Sequence, residues 1–580
     1  MASDQIQTLE RETDAPAEVS DAAKAAALAG LVTLSACGGG GGGGGGGTSP
    51  PPPPPAPAMT EAQASRFLLQ AQFSATDGDV NALKANGMNA WLDGQFSAAL
   101  GITGVDWLTS QGHNSITSEA RYFWPQFGDF MIWNQLLAGP DQMRKRMALA
   151  LSEFFVVSLS PIDGFYPPYM IAAYWDLLTA NAFGNFRTLL EKITLNAAMG
   201  FFLNTKGNLK EDPVSGREPD ENYAREVMQL FTIGLYELNN DGTEKLDASN
   251  KPIETYGQSD ITNLARVFTG YDYNFSHTTF TPVAWVNYSI PSFNFAVDPM
   301  SFDANNHSNL EVNFLGTNIP AGSSGANALK IALDRLFNHP NTGPFFAKQM
   351  IQRLVTSNPS PAYVNRVANV FNNNGSGTRG DLKAVWRAIL TDSEATTPTT
   401  DPLGGKLREP VVRFISWART VGFTSTTGAY EIYDLSAADQ ALGQSAVRSP
   451  SVFNFFRPGY VPPHTALATA NKGAPEFQLH NETTTAGTIN FLEWMIRWGY
   501  NDVKPTYTNM LSFAHDTTQV VSYLNVRLAG SQLSSTTQTT ISTALTSLGI
   551  TASSSNDAKM NLLASACLLV LSSPEYLIQK

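Results

Sequence analysis

The chain has 580 residues, and 37 Lys+Arg against 50 Asp+Glu leave a net charge of −13. That balance excludes a broadly basic nucleic-acid binder, and two cysteines, Cys37 and Cys567, are too few for a disulfide scaffold. Hydrophobic residues at 43% and aromatics at 11% are ample for a core, which excludes a disordered chain, while charged residues reach only 15%, below the roughly 25% of ordinary soluble proteins.

The N-terminal stretch reads as an address and a stalk. Ala25 to Ala36 is a short apolar run after Lys24, too short to span a bilayer but suited to a signal-peptide core. It ends in Leu34-Ser35-Ala36-Cys37, which resembles a bacterial lipobox with Cys37 as the lipidated residue. The preceding residues carry six acids and two bases, whereas signal peptides usually begin positive. Gly38 to Gly47 and Pro50 to Pro55 are unbroken runs, a flexible coil followed by a stiff polyproline rod. The expected division is 1–37 signal-like segment, 38–58 disordered linker and 59–580 a single body, with a possible subdomain boundary near 396–405. No later run of 18 apolar residues occurs.

The body reads as mainly α, a large multi-helix assembly. Thr60 and Gln63 have capping-box spacing before RFLLQAQF. Pro140-Asp141 opens QMRKRMALALSEFFVV, Asn185 precedes FRTLLEKITL, and Pro219-Asp220-Glu221 opens NYAREVMQLF, with acids at the positive end of the helix dipole. Ser259-Asp260 opens ITNLARVF. Helical spacing recurs over 326–337, 344–356, 361–371, 381–390, 407–421, 488–498, 517–528 and 558–571. Turn residues Asn240-Asp241-Gly242 and Ser249-Asn250 predict a small hairpin between Leu238 and Tyr256, and 278–295 an extended excursion. There is no βαβ alternation and no fixed-period repeat.

Several long stretches carry a resemblance. AFGNFRTLLEKITLNAAMGFFLN, EPDENYAREVMQLFTIGLYELNNDG, HPNTGPFFAKQMIQRLVTSNPSPAYVNRVANVF, GKLREPVVR, SPSVFNFFRPGY and the closing SSPEYLIQ together resemble the bacterial domain-of-unknown-function family 1800, from about Ala64 to Lys580. The resemblance implies a largely helical, commonly exported protein, often encoded beside a sulfatase-like exported family, and leaves the reaction open. The chain departs from the family pattern at Leu195 to Met199, where a histidine is frequent, and at His307-Ser308, where His-Asp is frequent.

The densest polar constellation runs from Asn204 to Gln229. Asn222, Glu226 and Gln229 share one helix face. Glu226, Arg225, Tyr223 and Lys210 are the candidate catalytic set, Glu226 as acid, base or ligand and the cations as anion binders. Asn204, Asn208, Asp220, Asn222 and Arg408 are the candidate binding residues. The competing reading is a packing network with Glu221 and Arg225 paired at i, i+4. The seven histidines form no HExxH or close metal pair, so no metal site is assigned; His307 with Glu226 is the one long-range pairing considered, and His339 and Asn341 read as turn and cap residues. GxSxG and GxxxxGK[ST] are absent, there is no CxxC, and Gly375 to Gly380 fits GxGxxG without a preceding strand, so no cofactor is implied. Lys406, Arg408, Glu409, Arg413 and Arg419 form a basic cluster expected to pair with carboxylates elsewhere. The aromatic, proline-rich loop Ser449 to Pro463 either lines a glycan or peptide groove or seals the core.

Two functions are compatible with these features. One is a lipid-anchored envelope protein, in the outer membrane or facing the periplasm, that binds or assembles with a sulfatase-like partner and no nucleic acid. The other is an extracytoplasmic hydrolase using the Asn204 to Glu226 cluster.

Overall fold

The computed structural model describes residues 58–116, 121–285 and 287–580. The signal-like segment, Cys37 and the stalk lie outside them. The described residues are mainly helical, with 23 α-helices and only two-stranded sheets. The mainly α expectation holds. Two caps are those the sequence announces, at Thr60 and Asn185, whereas Asp141 makes no side-chain cap bond and Ser259 falls inside the helix Gln258–Ala265. Thr60 and Gln63 close a reciprocal capping box at Glu61–Ala71, Asn185 caps Phe186–Thr194, and Asp381 caps Leu382–Thr391. Each satisfies amides that the first helical turn leaves free.

The core is contiguous. Gln126–Leu137 and Gln142–Ser152 are buried on nearly every face, and Trp133, Trp175, Trp386 and Trp417 are fully enclosed. Phe154, Phe186, Phe346 and Phe371 meet edge to face at 5.0–5.4 Å, the arrangement ring quadrupoles favour. Cys567 is buried in Asn556–Leu571, and burial pushes its thiol up to about 12; it is an inert core residue.

The predicted hairpin forms as single bridges rather than full strands: Tyr236 opposite Glu254, Leu238 opposite Glu244 and Leu246 opposite Pro252. The 278–295 excursion contains Phe280–Pro282 paired antiparallel with Ser289–Pro291. A third pairing joins the C-terminus to the middle of the chain. Ile578–Gln579 lies antiparallel to Lys406–Leu407, and the Gln579 amide donates to the carbonyls of Leu354 and Val355 at 2.9 and 3.0 Å. Residues 406–413 are thereby wedged between distant parts of the chain. Gly405 sits at φ +95°, and a Cβ there would run into the Gln579 carbonyl, so only glycine lets the two backbones approach.

Candidate functional site

The residues from Asn204 to Gln229 separate into two environments. Asn204, at φ 61°, donates to the Asp220 carboxylate at 3.3 Å. Asn208 clamps the Asp220 backbone from both sides, accepting from its N–H at 2.9 Å and donating to its carbonyl at 3.2 Å. Asp220 in turn accepts from the Asn222 N–H at 2.8 Å. These four residues are brought together, and they fix the entry to the helix Asn222–Gln229. The other four do not meet in one place. Tyr223 is sealed in the core, donating to Thr194 Oγ1 at 2.7 Å with its ring edge-on to Phe268. Arg225 pairs with Glu221 at 3.3 Å in a half-exposed position. Lys210 is tied in through its backbone, to Asn306 and Arg217. Glu226 is buried, its Oε2 receives no hydrogen bond, and burial outweighs nearby Arg225 to push its carboxyl up to about 7.

His307 is buried against Thr269, with Nδ1 2.9 Å from the Thr269 carbonyl oxygen. Among the described residues no group of His, Cys, Asp and Glu stands ready to hold a metal. Asn341 does anchor a turn: its amide donates to the carbonyls of Ile233 and Tyr236, and its oxygen accepts from the Leu238 N–H. That locks the hairpin onto the helix Thr342–Leu354.

A cavity of about 560 Å³ opens beside that junction. The hairpin contributes Leu235 and Tyr236, the helix Phe345, Lys348, Gln349 and Gln352, and the loop after it Asn358. Pro458 and Val461 of the proline-rich loop close the far side, whereas Phe456 of the same loop is buried. The loop thus lines a groove and seals the core at once. Gly234, at φ +71°, keeps the entrance open, since a Cβ there would come within 2.8 Å of the Phe345 ring.

Beneath the cavity lies a buried ionic network. Gln349 and Ser357 belong to both. Gln349 Oε1 accepts from Arg353 at 2.7 Å, and Ser357 donates to Glu476 at 3.3 Å. Arg353 approaches Glu153 at 3.7 Å, and Lys406 contacts Glu409 at 3.4 Å and Glu476 at 3.2 Å. Arg146 and Lys406 both donate to the Arg353 carbonyl at 2.8 Å. The carboxyls of Glu153 and Glu409 face each other. Burial and the neighbouring Glu409 push Glu153 far above the usual carboxyl range. Burial also acts on Glu409, but Lys406, the bond from Glu153, Arg146 and Gln444 outweigh it and hold it low. These opposite directions bias a proton shared by the pair towards Glu153.

The sequence places Lys406 and Glu409 in a cluster seeking partners, and they find Glu476 and Glu153. Sequence reasoning misses Arg146, Glu153, Arg353 and Glu476. A signal exists for three of them. Arg146 and Glu153 lie seven apart in an otherwise apolar run, and Arg353 lies three and seven after Met350 and Phe346, both of which are fully buried. That spacing puts each charge on a core face.

Residues 66–578 match the model of a family described as Protein of unknown function (DUF1800). The chain belongs to the DUF1800 family. The match takes in the cavity, the ionic network and the strand Lys406–Leu407 together. No curated protein and no solved structure matches this DUF1800 chain.

Proposed function

We propose that this DUF1800 protein is an exported, lipid-anchored binding module that holds an extended segment of a partner protein in the cavity between the hairpin and the proline-rich loop. The observation that carries the reading is the cavity's composition. Leu235 and Tyr236 are 48% and 38% exposed, an unusual display of large apolar groups beside Phe345 and Pro458. Gln349, Gln352 and Asn358 also line it, but their amides are already engaged by Arg353, the Ser357 carbonyl and the Gly473 backbone, so the apolar groups carry the recognition. The rigid network below gives the site a floor that does not move on binding. Export and anchoring rest on the apolar run ending at Cys37, and the sulfatase-like exported family is the first partner to try. The test is a photo-crosslinking residue at Tyr236 in the intact envelope. One recurrent partner is expected, lost with Leu235→Asp; repeated recovery of the uncrosslinked protein alone sinks the reading. Cys37→Ser should release the protein from membranes, and unchanged fractionation removes the anchor from the proposal.

A second reading draws on Glu226. A buried carboxyl with a free oxygen and a pKa near 7 is poised as an acid–base group. This hydrolase reading expects a substrate screen to find turnover that Glu226→Gln abolishes without loss of thermal stability. Turnover surviving in the variant rejects it.

A further inference from the structure

Three arginines inside the molecule have no counter-ion among the described residues. Arg66 lies on Glu61–Ala71, Arg408 follows the strand Lys406–Leu407, and Arg413 lies on Pro410–Val421; they are 8%, 7% and 5% exposed. Several other buried cations are paired with carboxylates: Arg448 chelates Asp129, Arg527 pairs with Asp77, and Lys406 has Glu409 and Glu476. The charged group acting on both Arg66 and Arg413 is Arg408. Burial and then Arg408 push Arg66 down to about 10, and burial does the same to Arg413, with Tyr576 opposing and Arg408 adding to it. All three still carry charge at neutral pH. Their Nε atoms donate to nothing, nor does Arg66 Nη1.

The protein offers only partial compensation. Arg408 Nη1 donates to the Leu528 carbonyl at 2.7 Å, at the negative end of Thr517–Ala529, and its guanidinium stacks 5.0 Å over Tyr576. The Tyr576 hydroxyl is itself buried without a partner. A helix end supplies about half a charge, against three cations. Buried charges persist in native proteins when paired, and each orphan points to a group that completes it.

Access exists on one side. Arg66 lines a cavity of about 520 Å³ together with Thr356, Thr399, Lys472 and Lys580. The two carboxylates on its wall are already engaged, Asp401 by Lys472 and Glu394 by Arg366 and Ser360. We propose that this cavity is a binding site for a tetrahedral oxyanion, the phosphate or sulfate group of an ester, held by the Arg66 guanidinium with Arg408, and behind it Arg413, adding positive charge. Planar guanidinium forks suit such oxygens. The site adjoins the partner cleft, with Asn358 on the wall of both, but does not rest on that reading.

The test uses the full chain. Thermal unfolding and calorimetric titration are followed with sodium phosphate and with sodium sulfate, against sodium chloride at equal ionic strength. A saturable rise in Tm beyond the chloride control is expected with at least one of the two. Arg66→Gln should weaken that binding at least about tenfold while raising or preserving the ligand-free Tm, because it removes like-charge repulsion. Arg66→Lys, which keeps the charge, guards against a variant that fails to fold and should bind with intermediate affinity. Tighter phosphate binding that strengthens as the second proton leaves assigns a phosphate ester; tighter sulfate binding, flat with pH, assigns a sulfate ester. No stabilisation by either anion, or wild-type affinity in Arg66→Gln, overturns the site.

Discussion

Glu226 is the residue whose ionisation the fold opposes most openly. Its carboxyl rises from 4.5 unfolded to about 7 folded, so the folded state binds the proton more tightly. Stability is highest where both states are protonated, falls as pH rises through 4.5, and levels off above about 7. At roughly 1.4 kcal/mol per pH unit the loss approaches about 3 kcal/mol. His113 and His339 act oppositely, because burial holds both down to about 4, so the comparison must be internal. Urea unfolding of wild type and Glu226→Gln at pH 5 and pH 8 isolates the effect. The variant should gain stability relative to wild type at pH 8 and much less at pH 5, and equal shifts at both would refute the assignment. The Glu153–Glu409 pair gives a second residue-scale test. With burial and Glu409 pushing the Glu153 carboxyl up, Glu153→Gln should cost under about 1.5 kcal/mol, as a near-isosteric replacement. Glu409→Gln leaves Lys406 with Glu476 alone and removes the negative charge that acts most on Arg146, and should cost about 3 kcal/mol. Equal losses in denaturant titrations would mean that the proton is not held on Glu153.

At the scale of elements, helix starts are legible in the sequence and sites are not. Thr60, Asn185 and Asp381 cap the helices they precede, because capping is a contact between residues two or three apart. The hairpin turns are legible for the same reason, although its strands reduce to isolated bridges. The cavity is half visible. Its loop stands out for Pro458 and its aromatics, but the hairpin and the 342–354 helix that complete it lie more than a hundred residues earlier in the chain. Asn341 is the joint between those elements. Its position before a helix suggests a cap residue, yet the helix start shows no side-chain cap, and its three side-chain hydrogen bonds all go to the hairpin. Asn341→Ala leaves the Ile233 carbonyl in the core without its donor and should cost about 2–3 kcal/mol. It should also raise hydrogen exchange across 233–238 selectively. Uniform exchange across the chain, with no local increase there, would show that the hairpin does not depend on this joint.

Over the whole molecule, the low charge fraction takes on a different meaning. A chain with 15% charged residues would be expected to keep them in water. This one encloses Lys145, Arg146, Glu153, Arg353, Lys406, Arg408, Glu409, Arg413 and Glu476. Composition cannot reveal this, since it counts charges without placing them. Most of the enclosed groups come from helices far apart in sequence and meet around 406–413, where the strand Ile578–Gln579 closes over them. The Leu577 carbonyl accepts from the Arg408 N–H at 2.8 Å, and Gln532 donates to the Ile578 carbonyl at 2.9 Å. Residues Ala58–Lys580 form one compact unit, and this closure is one tie between late and early parts of the chain, beside the packing of Thr517–Ala529 on Glu61–Ala71 and the Arg527–Asp77 pair. Removing residues 574–580 takes away Tyr576, which stacks on Arg408, and both Gln579 bonds, and it opens buried charge to water. Such a truncation should do more than lower Tm by a few degrees. It should split a single calorimetric transition into two, with cleavage appearing in the 396–405 stretch whose Gly405 abuts Gln579. Full-length protein should show one transition and resist cleavage there. If the truncated chain still unfolds in one step at unchanged Tm, the C-terminal strand is ornamental, and the ionic network must be held by the helices alone.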